Sequence, residues 1–151
     1  MSARMSGRVG HLARRWWRSL SRRPPSSVDI EWASGFLLPS ELDLWNQFGP
    51  ADQRHTIEVA RRFTDRRPTA TRAEMAGAVL HDIGKLDSGL GTTMRVVATI
   101  VGPRTRRFRR YHDHEQLGAA RLEQLGADPE TVALVRGEGP AAADLRAADD
   151  L

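Results

Sequence analysis

Four of the five histidines lie after residue 50, and most stand beside carboxylates. His81-Asp82 is an adjacent imidazole–carboxylate pair, and His112-Asp113-His114-Glu115 alternates the two types over four residues. His55 precedes the doublet by 26 residues, on a different predicted helix. Together with a carboxylate late in the chain, His55, His81 and Asp82 offer a mixed nitrogen and oxygen donor set. Such a set suits divalent manganese, iron, cobalt, nickel, zinc or magnesium without strong discrimination. The chain has no cysteine, which excludes disulfide scaffolds, thiolate zinc sites, Cys-ligated iron–sulfur clusters and Cys nucleophiles.

If such a site is catalytic, hydrolysis by a metal-activated water is one chemistry open to it. A bound divalent cation lowers the pKa of a coordinated water and polarises a phosphoryl oxygen. Asp82 would serve as a ligand that also orients the water. Lys85, the one lysine in the chain, stands three residues past the doublet, where its ammonium could neutralise charge on a phosphate. Further candidates for contact with a substrate phosphate are Arg54, next to His55, and Arg110 and His112. The run Arg104, Arg106, Arg107, Arg109 and Arg110 reads either as a solvated face or as a rim that steers anionic ligands.

The elements that must position these residues are all helical, and no alternating strand pattern runs longer than a few residues. His55, Val59 and Phe63 share a face of a helix over about Gln53–Arg66, with Asp52 as its cap. Met75, Ala76, Val79, Leu80 and Ile83 form the buried stripe of a helix from about Thr71 to Ile83, with Gly84 as terminator. Neighbouring helix positions diverge by about 100°, so His81 and Asp82 reach one ion only from a helix end or tight bend. Short helices are expected at Val28–Gly35, at Glu41–Phe48 capped by Ser40, and at Ala141–Leu151. Met94–Val101 reads as an apolar helix after the Gly-rich loop Asp87–Thr93. His114–Leu125 follows, with Leu117, Leu122 and Leu125 on one side and Gly126 closing it. Asp128-Pro129-Glu130 is a strong helix start: a capping residue, proline at the first position and an acid in the first turn.

At these residues the chain resembles the HD superfamily of metal-dependent phosphohydrolases. The resemblance spans about residues 51–151. It rests on His55 in Asp52-Gln53-Arg54-His55, on Ala78-Val79-Leu80-His81-Asp82-Ile83-Gly84-Lys85, and on the closing Ala148-Asp149. It implies an all-α HD-type bundle whose metal ligands are His55, His81, Asp82 and Asp149. His114, through His114-Glu115-Gln116-Leu117-Gly118-Ala119, matches a histidine of the two-metal members. Where those members have His-His-Glu, this chain reads Arg136-Gly137-Glu138, so one ion is expected rather than two. His114 or His112 then acts as general acid, substrate contact or hydrogen-bond donor behind the ligands. The plainer alternative for that stretch is a polar helix start capped by Asp113 and Glu115. The implied substrate is a phosphorylated small molecule or nucleotide. Two other readings stay open: an HD-fold regulatory module that binds metal or nucleotide but turns over poorly, and an adaptor acting through the N-terminal helix.

Composition sharpens the partner question. The 151 residues carry 23 basic and 19 acidic side chains, a formal +4. Residues 1–25 hold seven arginines and no acid, a net +7, whereas residues 26–151 hold 16 basic and 19 acidic groups, a net −3. A basic amphipathic helix and linker over 1–25 therefore precede a mildly acidic domain over 26–151, and nucleic acid is a disfavoured partner. Val9, Leu12, Ala13, Trp16, Trp17 and Leu20 make the apolar stripe of that helix, opposite its arginines. Packing on the domain, peripheral membrane contact through residues 9–20 and binding of a partner are its three readings. The segment lacks the apolar core of a secretory signal, roughly 7–15 residues long. Twenty-two arginines against a single lysine suggest GC-rich coding, and the expectation is a bacterial cytoplasmic protein. The sequence leaves the oligomeric state open.

Overall fold

The computed structural model describes residues 23–88 and 113–151. These residues form seven α-helices, one 3-10 helix and no strand, so the fold is all-α, as expected. In chain order they are α1 (Ser27–Ser34), α2 (Pro39–Trp45), α3 (Pro50–Arg66), α4 (Arg72–Leu80), the 3-10 helix (Ile83–Ser88), α5 (His114–Gln124), α6 (Pro129–Val135) and α7 (Ala142–Asp149). The N-terminal helix, the Gly-rich stretch from Gly89, Met94–Val101 and the arginine run lie outside the described residues. No helix among the described residues is long and apolar enough to cross a membrane.

The centre of the bundle is α4. Every residue from Ala73 to Leu80 is buried, so this short helix is covered all round rather than along one stripe. Small side chains allow that. A Cβ on Gly77 would come within 2.9 Å of the Leu134 side chain on α6. On another side α4 meets α3, where Ile57, Val59, Ala60 and Phe63 are buried. α7 packs on α3, and α5 packs on both α6 and the 3-10 helix. Three buried or half-buried hydrogen bonds pin these contacts. The Trp45 indole donates to Thr56 Oγ1 at 3.0 Å, Thr131 Oγ1 donates to the Ala73 carbonyl at 2.8 Å, and Arg62 Nε donates to the Ala148 carbonyl at 2.8 Å.

Helix starts depart from the expected caps where proline intervenes. Pro39 and Pro50 supply a preset φ at the first positions of α2 and α3, so Leu38 and Gly49 occupy the cap sites instead of Ser40 and Asp52. Glu41 does the capping at α2, accepting from the Leu38 backbone N–H at 2.8 Å. Thr71 caps α4 reciprocally with Glu74, and Asp128 caps α6 through the Glu130 N–H at 2.9 Å. Asp113 holds the cap position of α5, but its side chain makes no capping bond. α4 stops at Leu80, three residues before the expected end, and the chain tightens into the 3-10 helix. Gly126 closes α5 in the left-handed region at φ 74°, whereas Leu125 stands 42% exposed instead of joining the buried side.

Candidate metal centre

Four helix ends and turns bring the donor residues together. His55 projects from the second turn of α3, on the face whose later members, Val59 and Phe63, are fully buried. His81 and Asp82 follow the last residue of α4, where the helix breaks and lets two consecutive side chains turn to one point. Asp149 is the last residue of α7, a helix anchored to α3 by the bond from Arg62 to Ala148. His114 is the first residue of α5.

The resulting distances are short and mutually consistent. His55 Nε2 lies 3.5 Å from Asp82 Oδ2 and 3.2 Å from Asp149 Oδ1. His81 Nε2 lies 3.4 Å from Asp82 Oδ1 and 3.6 Å from Asp149 Oδ1. Donor atoms each about 2.0–2.2 Å from a shared cation stand roughly 3.0–3.6 Å apart, so the residues fit such an ion. The donor atoms of His55, His81 and Asp82 all fall within 4.8 Å of one another, and this group could hold a metal ion. Buried His81 Nε2 and Asp82 Oδ1 make no hydrogen bond. Polar atoms in a protein interior are paired almost without exception, which makes these two informative. His81 Nδ1–H donates to the Ala78 carbonyl at 2.8 Å, so Nε2 is the nitrogen turned to the cluster.

The electrostatics point the same way. Burial works against charge on His81, but Asp82 and Asp149 outweigh it and push the imidazole up to about 9. Burial also opposes charge on Asp82, yet His81, Lys85 and His55 hold it well below the usual carboxylate range while Asp149 pushes the other way. Asp149 is likewise held far down against its own burial, chiefly by the neighbouring imidazoles of His55 and His81. Two carboxylates gathered on imidazoles call for positive charge at the centre. Protons on the imidazoles meet that demand, and so does a divalent cation.

Gly84 is what lets α5 reach this centre. A Cβ on Gly84 would sit 1.8 Å from the His114 carbonyl oxygen and 2.8 Å from the Gly118 nitrogen. Gly118 returns the contact, since its own Cβ would meet the Gly84 nitrogen and the Ile83 side chain at 2.9 Å. Two backbones thus touch where side chains are missing, and His114 Nε2 comes to 3.6 Å from Asp82 Oδ1. The expected role of Gly84 was to terminate a helix. Its observed role is close approach, because the helix has already ended at Leu80 and no left-handed φ occurs at Gly84.

The remaining sequence-predicted residues divide. Lys85 Nζ donates to Asp82 Oδ2 at 2.7 Å, so its charge is directed at the Asp82 carboxylate. Arg54 lines a separate cleft of about 160 Å³ with Asp29, Ile57 and Glu58, which contains none of the donor atoms. His112 and Arg110 lie outside the described residues. Arg146, Glu115 and Gly137, given no site role from the sequence, line a cleft of about 90 Å³ together with His81, His114 and Asp149. For Arg146 a signal existed: it precedes Asp149 by three residues on one helix, a spacing that puts both on one face. Compared with protein-family models, with curated proteins and with solved structures, the chain matches none.

Proposed function

We propose that this chain is an HD-type, metal-dependent phosphohydrolase that cleaves a phosphate ester or nucleotide. The observation that carries the reading is the convergence of His55, His81, Asp82 and Asp149, with His81 Nε2 and Asp82 Oδ1 buried and free of hydrogen bonds. These four residues would hold one divalent ion. Such an ion supplies Lewis acidity, making a water more acidic and drawing charge from a phosphoryl oxygen. The protein's own groups do the rest. Lys85 grips Asp82 Oδ2 and thereby fixes the direction in which Oδ1 presents its lone pairs. The Ala78 carbonyl fixes the His81 ring in the same manner. His114, half-buried at the start of α5 with Nε2 3.6 Å from Asp82 Oδ1, would hand a proton from that nitrogen to a departing alkoxide. Burial of His81 and Asp82 keeps bulk water from competing for the ligand atoms.

The test is metal analysis of the purified chain, followed by turnover of a panel of phosphoesters and nucleotides. His81→Ala and Asp82→Ala are the controls. The expected result is one divalent ion per chain and hydrolysis that both substitutions abolish. Hydrolysis that survives both substitutions overturns the reading. Metal bound at these residues with no turnover of any substrate would instead identify a regulatory metal-binding module.

A further inference from the structure

The cleft beside the cluster contains a cation that the described residues leave unused. Arg146 lines it together with His81, His114 and Asp149, and its guanidinium makes no ion pair or hydrogen bond with a described residue. Nearby cations are otherwise committed. Lys85 is held by Asp82 at 2.7 Å, Arg62 donates to the Ala148 carbonyl, and Arg136 faces Glu123 at 3.6 Å. A phosphohydrolase also needs a positive group on the non-bridging oxygens of its substrate, beyond whatever the ligand cluster supplies.

We propose that Arg146 is this site's phosphate-binding residue, a substrate contact that recognises the phosphoryl group. The inference rests on the phosphohydrolase reading above. Arg146 and Asp149 sit one turn apart on α7, so the helix that delivers a ligand to the cluster also carries the anion contact. A planar guanidinium matches two phosphoryl oxygens at once, which a lysine cannot do. Gly137 keeps the approach open. It adopts a left-handed φ of 84°, and a Cβ there would lie 3.3 Å from Glu115 Oε2 and 4.0 Å from Arg146 Nη1. The missing side chain leaves a space flanked by one cation and one carboxylate. Glu115 opposes an anion in that space, so the two residues must act on phosphate with opposite sign.

Titration calorimetry with inorganic phosphate as probe, on the full chain with and without Mn2+, tests this. Wild type, Arg146→Ala, Arg146→Lys and Glu115→Gln are compared, with metal content measured for each. Arg146→Ala is expected to weaken phosphate roughly tenfold or more, and Arg146→Lys to restore part of the loss. Glu115→Gln is expected to tighten binding by about twofold to fivefold. Metal content stays the same in all four. Equal phosphate affinity in wild type and Arg146→Ala overturns the proposal, and with metal still bound it leaves the phosphohydrolase reading standing. Arg146-dependent phosphate binding by a chain that takes up no metal upholds the anion contact and overturns that reading instead.

Discussion

Two carboxylates are buried around α4, one in its first turn and one just past its end, and their surroundings differ in kind. Glu74 is satisfied on both oxygens. Arg67 Nη2 donates to Oε1 and Arg67 Nε to Oε2, each at 2.9 Å, and the Thr71 backbone N–H adds a third bond at 3.1 Å. Asp82 is satisfied on one oxygen only. Lys85 holds Oδ2, while Oδ1 makes no hydrogen bond and faces imidazole nitrogens of His81 and His114 at 3.4 and 3.6 Å. A carboxylate whose task is to hold the fold together is surrounded by donors. A carboxylate arranged so that it could hold an ion keeps an oxygen back, facing imidazole nitrogens rather than a ring of committed donors. The functional group and its burial are the same at both sites, and the hydrogen-bond inventory separates them.

The largest effect should come from breaking the Asp82 end. Asp82→Ala or His81→Ala is expected to weaken divalent metal binding by more than about 100-fold, since loss of even an outer partner of a metal ligand costs about 10–100-fold. A metal that binds only the folded chain stabilises it by about 2.7 kcal/mol at 100 times its Kd. Thermal melts with Mn2+ or EDTA should therefore separate widely for wild type and coincide for either variant. A separation that persists in Asp82→Ala would place the ion elsewhere.

Next in size is Gly84→Ala, which attacks the positioning of the site rather than its ligands. The added methyl would collide with backbone atoms of His114 and Gly118, so α5 must move as a body. The expected cost is about 3 kcal/mol in urea unfolding, at the upper end of ordinary overpacking. A change below about 0.5 kcal/mol would show that α5 does not dock as described. This position also marks where the sequence stopped being legible. Helix identity among the described residues, the His55–Val59–Phe63 face, the Asp128 cap and the placement of His81-Asp82 at a helix end all follow from spacings within a few residues, and each of them stands in the structure. Gly84 looks like a helix terminator because local spacing is blind to His114 and Gly118, about 30 positions away. Complete burial of α4 was hidden for the same reason: Ala73, Gly77 and Ala78 look neutral until α3 and α6 enclose them. The cleft around Arg146 joins three segments distant in sequence, and only the lone three-residue spacing to Asp149 hinted at it.

Glu74→Gln probes the satisfied end. Replacing the carboxylate removes charge from a pair of bonds to Arg67 in a largely buried setting, with an expected loss of about 1–3 kcal/mol. Metal occupancy should not change. The pH dependence has a definite sign. Arg67 holds the Glu74 carboxyl below its ordinary value of 4.5 against the opposing effect of burial, with the Thr71 N–H assisting. Its stabilisation is therefore fully present above pH 4.5 and fades as pH falls through the lower, folded-state pKa. The stability gap between wild type and Glu74→Gln should accordingly narrow in acid. A gap that is flat from neutral pH to well below that value would mean the charge on Glu74 contributes nothing.

The smallest effect tests whether packing and site are separable at all. Thr131 is fully buried, and its hydroxyl bridges α6 to the Ala73 carbonyl in the first turn of α4. Thr131→Val keeps the shape and deletes that one bond, while the carbonyl can still accept within its own helix. The expected loss is therefore about 1 kcal/mol, the net worth of a typical internal hydrogen bond. Combined with Asp82→Ala, the two losses in the metal-free protein should add to within about 0.5 kcal/mol, as they do for residues that share no partner. Non-additivity beyond that, or a fall in metal content in Thr131→Val alone, would mean that α6 transmits strain along α4 into the ligand cluster. The two ends of α4 would then be one coupled unit rather than two separate carboxylate sites on a shared helix.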